Sequence, residues 1–308
     1  MTGGIIQDIR DPLGAVLQLL SGVLSHFVAS GRDALNSELA RYLFTTVDPS
    51  APHRALTDNP AVAHLNLGLA LAADALVGAI VLFTSLRSIF DHSLHARYTL
   101  KIVIPRLLLA IVLVHGSIFF IQMAIDLNNA MGTAAMSLGG PVTIDLLPWS
   151  SSIGDPAVAA MQASQDLFTA LFGVAVVVAL VLLVLSYVVR IALLEVLIVL
   201  APLAAVLMVL PETRRYAHTW LHLFLTALFM QALQLIILRV ATAAGFGDGG
   251  IAESLYALAT LWIMLKVPGA LHSSTHVESK AHGAARHMER SLRRALQPVH
   301  HAVRRSSV

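Results

Sequence analysis

Residues 187–220 place two charged side chains, Arg190 and Glu195, inside an apolar run that Pro202 then interrupts. At a bilayer centre each ion costs roughly 2.5–3.5 kcal/mol on insertion scales, so both are expected to face protein or a wet cavity. A plain anchor needs neither charge nor a proline. The stretch therefore calls for a polytopic protein with an interior, and the remainder of the chain can supply one. Of the 308 residues 57% are hydrophobic and 12% charged, against about 25% charged in ordinary soluble domains. Mean hydropathy is +0.77.

The apolar runs follow one another too closely for a second soluble core, which predicts one membrane domain over 61–270. Before it, residues 5–28 and 33–46 carry apolar positions at helical spacing with polar faces opposite. They read as two amphipathic helices at an interface or against a partner, joined by a turn-rich linker to residue 60. The start lacks a basic region ahead of its apolar stretch and a small-residue cleavage site, so no cleaved signal peptide is expected. Residues 63–86, 102–125, 167–189, 221–240 and 251–267 are each long enough, or nearly so, to cross about 30 Å of hydrocarbon. The run 191–210 has the length as well, and charge arbitrates whether it crosses.

No Lys or Arg occurs between Arg106 and Arg190, an interval that contains the whole connector 127–165. The positive-inside rule puts that connector outside, and puts Arg87, Arg97, Lys101 and Arg106 in the cytoplasm together with the basic tail 271–308. A complete crossing by 191–210 would separate Arg190 from Arg214 and Arg215 and invert every earlier loop. The charges instead favour five crossings plus a bent or re-entrant hairpin at a protein-buried Pro202. This is an all-α fold with its N-terminal amphipathic helices outside and its C-terminal helix inside.

Arg190, Leu193, Leu197, then Ala201–Pro202–Leu203, then Leu210–Pro211–Glu212–Thr213 and Trp220 resemble the core of the TrbL family of polytopic inner-membrane subunits of type IV secretion and conjugation systems. Close similarity spans 185–242, and the external N-terminus, external connector and cytoplasmic tail agree in layout. The resemblance implies a channel or scaffold subunit that helps pass DNA or protein across the cytoplasmic membrane. It also implies other membrane subunits, separate ATPases and further copies of the chain as partners. The sequence holds no G-x-x-x-x-G-K-[ST], so the chain itself is not expected to hydrolyse nucleotide or to act as an enzyme.

Candidate residues carry two readings each. Arg190 and Glu195 are either structural charges paired with other spans or part of a pathway. Asp74 is either protonated, matched with Arg239 or Arg190, or a proton-relay acid. As an alternative function, Asp74, Arg190 and Glu195 would form the midplane site of an independent transporter. Gln231 and Gln234 suit hydrogen bonds between helices. Trp220, with Trp149 and Trp262, reads as an interfacial anchor. His218 and His222 have metal-ligand spacing but no acid beside them, and the chain has no cysteine, so neither a metal nor a cofactor is expected. In the tail, Arg286, Arg290, Arg293 and Arg294 form one stripe suited to anionic lipid or a partner, with transient DNA contact as the other reading.

Overall fold

In the computed structural model the described residues are 12–51, 53–90, 94–140, 146–154, 157–159, 167–209, 213–244 and 252–270. The chain divides into two units, Met1–Leu265 and Lys266–Val308. Of the second only 266–270, which are helical, fall among the described residues. The basic stripe Arg286, Arg290, Arg293 and Arg294 lies outside them.

The elements are α1 (Pro12–Leu43), a 3-10 turn (Leu56–Asp58), α2 (Pro60–Phe90), α3 (Leu94–Ser137), the short α4 (Ser150–Ile153), α5 (Leu167–Leu207), α6 (Arg214–Ala243) and a last helix, α7, over 252–270. Among the described residues four helices are long and apolar enough to cross a membrane: α2, α3, α5 and α6. The fifth span expected over 251–267 is helical but falls outside that set, because Glu253, Ser254, Tyr256, Thr260 and Lys266 dilute its apolar run.

α5 is the axis of the bundle. Its 41 residues rise about 61 Å, twice the thickness of a hydrocarbon core. α6 returns antiparallel to it, as shown by the contacts of Leu197 with Trp220 and of Arg190 with Ala227. Beside α5 the chain lays two further helices end to end, both parallel to it. α1 runs beside its first half, where Gly31 meets Val177, and α2 beside its second half, where Asn66 meets Ile198. α3 lies parallel to α6, with Asn128 against Gln231 and Gly132 against Leu235.

Two close approaches set this packing. A Cβ on Gly31 would stand 2.6 Å from Val177 Cγ1, so only glycine lets α1 lie this near α5. Gly139, at φ +77°, turns the chain out of α3 and would place a Cβ 2.5 Å from an Arg239 guanidinium nitrogen.

Several expectations change. The two N-terminal elements are one helix, whose Val28, Leu35 and Leu43 share a core with Val176, Val177, Leu180 and Leu183. Those three positions find protein, while Val16, Leu20 and Phe27 of the same helix stay exposed. The connector begins later than residue 127, because α3 stays helical to Ser137. Trp149 is buried at 1% exposure in that same core and is not an interfacial anchor.

The largest correction concerns Pro202. No hairpin forms there: one helix runs from Leu167 through the proline to Leu207, and the residues described after it, 208 and 209, are in a turn. Pro202 is buried. It has no N–H for the carbonyl of Ile198, the bond whose loss normally kinks a helix. Asn66 of α2 supplies that donor instead, Nδ2 to Ile198 O at 2.8 Å, and Trp220 Nε1 donates to Leu197 O at 3.1 Å. With both carbonyls satisfied from neighbouring helices, α5 continues. Trp220, stacked on Phe224 at 5.6 Å, thus faces the bundle rather than only its interface.

Candidate functional site

Arg190 sits near the middle of α5 and is 2% exposed. Charge counting had placed it at a cytoplasmic loop. That counting treats every basic residue as solvated by water, whereas here protein does the solvating. Its Nε donates to Ala227 O at 2.7 Å, and one Nη donates to Thr46 Oγ1 at 2.7 Å and to Leu228 O at 3.3 Å. Among the described residues no carboxylate pairs with it.

Thr46 is the second node. Its hydroxyl accepts from Arg190 and donates to Gln231 Oε1 at 2.6 Å, while its backbone N–H donates to Asn129 Oδ1 at 2.9 Å. Gln231 also donates from Nε2 to Leu43 O at 2.8 Å and accepts from Asn128 Nδ2 at 3.3 Å. The end of α1, the linker after it, α3, α5 and α6 thereby meet in one polar cluster. Two further buried groups, Arg190 Nη1 and Tyr187 OH, have no partner among the described residues; ordered water would complete the network there.

The cluster explains why a turn-rich linker can lie inside an apolar bundle. Backbone groups removed from water need partners: Asn129 pairs with both the N–H and the carbonyl of Thr46, and Gln231 with the carbonyl of Leu43, while Arg190 holds the Thr46 hydroxyl. Further along the linker, Asp48 Oδ1 accepts from the Ser50 N–H at 2.9 Å and from its hydroxyl at 2.7 Å. Burial pushes the Asp48 carboxyl up, but those hydrogen bonds and the Arg54 guanidinium outweigh it and hold the carboxyl below its ordinary value.

The other sequence candidates are not drawn into this cluster. Glu195 is half-buried and, among the described residues, forms no ion pair with Arg190. Asp74 pairs with neither arginine: His115 Nε2 of α3 is 3.9 Å from its Oδ2, and both side chains are partly exposed. Since Asn66 marks the level of Ile198, Asp74 lies about 12 Å further along the axis. Arg239 stands at the other end, against Gly139. His218 and His222 are exposed on α6. Gln234 donates to Met264 O at 2.9 Å, joining α6 to α7.

Sequence reasoning passed over Thr46, Asn66, Asn128 and Asn129. The amides carried a readable signal, since a lone Asn in a hydrophobic span needs a partner on another helix. Thr46 carried none.

Thr46→Val keeps the shape of the side chain and removes the shared hydroxyl. It is expected to destabilise the protein by about 1–3 kcal/mol, seen as a lower melting temperature in detergent. In an Arg190→Met background the same change should cost less, because one of the hydroxyl's two hydrogen bonds is already gone; equal costs in both backgrounds would refute the coupling.

Long apolar helices packed around a charged, internally hydrogen-bonded centre define an all-α, multi-pass membrane protein. Its sequence matches the family described as TrbL/VirB6 plasmid conjugal transfer like protein over residues 3–307. The chain belongs to that family, and is thus a membrane subunit of a conjugal transfer system. No curated protein and no solved structure matches it.

Proposed function

We propose that the chain is a channel-forming or scaffold subunit of a type IV secretion or conjugation machine, helping DNA or protein across the cytoplasmic membrane. The observation that carries this reading is the family match over 3–307, nearly the whole chain. In this reading the chain lies in the inner membrane with its N-terminus outside and its C-terminus in the cytoplasm, as the basic loops favour. It is not an enzyme. It assembles with copies of itself and with other membrane subunits, and separate ATPases drive transport. The independent-transporter reading has no support from a shared site, since Asp74, Arg190 and Glu195 keep different neighbours.

Deleting residues 281–308 tests the docking half of the proposal. Transfer from a donor cell should be abolished while membrane insertion is unchanged. Unaltered transfer frequency would remove the tail from the mechanism. Crosslinking of the full chain to DNA during transfer would support the channel role; crosslinking only to other subunits would leave it a scaffold.

A further inference from the structure

Beside the Pro202 passage, α3, α5 and α6 line a half-open cavity of about 330 Å³ with an almost wholly apolar lining. Ala201 and Ala204 of α5 and Ala217 of α6 make it by being small, and Trp220 closes one wall. Its volume is in the range of ligand sites, about 300–1,000 Å³. A helix, about 10 Å across with its side chains, does not enter a space of that size, whereas a hydrocarbon chain does.

Basic side chains gather at one end of it. Arg214 precedes the lining residues Ala217 and Leu221 by three and seven positions, on the same stripe of α6. Arg106 precedes Leu113, which lines the α3 wall, by seven. Because α3 and α6 are parallel, these two arginines lie toward the same end; Arg215 is on the other stripe of α6, with the exposed His218 and His222, and donates to Tyr216 OH at 2.7 Å. The N-terminus of α6 opens there too, where the helix dipole favours an anion. Glu212, the acid nearest in sequence, lies outside the described residues.

We propose that this cavity holds one acyl chain of an anionic phospholipid, with its phosphate at Arg106 and Arg214. Basic pockets between membrane helices recognise such headgroups, and here an apolar slot continues from the basic end. The lipid joins the end of α5 to the start of α6, bracing the turn between them.

Native mass spectrometry of the full chain in detergent, offered equal amounts of phosphatidylglycerol and phosphatidylcholine with the same acyl chains, tests this. One phosphatidylglycerol per chain should be retained in preference. Arg214→Gln, an exposed position, should reduce the preference roughly fivefold. Ala204→Leu, which fills the cavity, should lose retention of both lipids while the protein stays monodisperse. Equal retention of the two lipids by the unaltered chain would overturn the proposal. A preference unchanged in Arg214→Gln would do the same, whether or not the filled variant folds.

Discussion

Replacing Arg190 with alanine should lower the melting temperature by on the order of 10 °C and reduce conjugal transfer to the level of a strain lacking the chain. The guanidinium donates to Thr46, Ala227 and Leu228, and hydrogen bonds to charged groups contribute about 1.5–3 kcal/mol each. Removing one partner of a buried charged network typically costs about 3–5 kcal/mol, and for a domain of this size each kcal/mol corresponds to about 2–4 °C. Arg190→Lys should resemble alanine more than wild type. An ammonium carries the charge but lacks the planar fork that reaches acceptors on two different elements at once. Scanning fluorimetry on the three proteins decides the matter. A lysine variant as stable as wild type would mean that charge alone matters and that the clasp described for Thr46 does not.

Much of this arrangement was legible in the chain, and the reason it was not wholly so is specific. Apolar periodicity found the helices because lipid and packed protein both demand long unbroken runs. The cost of burying Arg190 and Glu195 marked α5 as an interior helix before any contact was known. What the chain did not reveal was the partner. Thr46 lies 144 residues from Arg190, in a linker whose Pro, Asp and Ser content reads as a solvent-exposed turn. Composition describes the linker's backbone preference and not the amides, on α3 and α6, that let it lie inside.

The misplacement of Arg190 has the same origin. Charge asymmetry between loops orients a membrane protein, but it assumes that each counted charge is in a loop. Arg190 is not, and once it is removed from the count α5 can be one long helix without disturbing the other loops. Arg87, Arg97, Lys101, Arg106, Arg214 and Arg215 then belong to one end of the bundle by a simpler path. The carboxylates show the limit from the other side: Asp74 found a histidine on the adjacent helix, which no charge balance could have selected from fourteen.

Pro202 permits a sharper test, because its missing hydrogen bond has a named substitute. Asn66→Leu should be strongly destabilising, since it leaves the Ile198 carbonyl without a donor inside an apolar bundle. An unsatisfied buried polar group costs about 1–3 kcal/mol in mutational data, and several kcal/mol where no water can reach it. Pro202→Ala should be close to neutral, because the restored backbone N–H offers Ile198 O its ordinary helical bond. The informative protein is the double variant. If Asn66 exists to replace the donor that proline lacks, Asn66→Leu with Pro202→Ala should recover most of the stability lost in Asn66→Leu alone, the reverse of what two independent lesions would do. Melting temperatures of the two single variants and the double variant in the same detergent measure the coupling. Additive losses would mean that Asn66 holds α2 against α5 for some other reason, and that α5 passes through Pro202 without help.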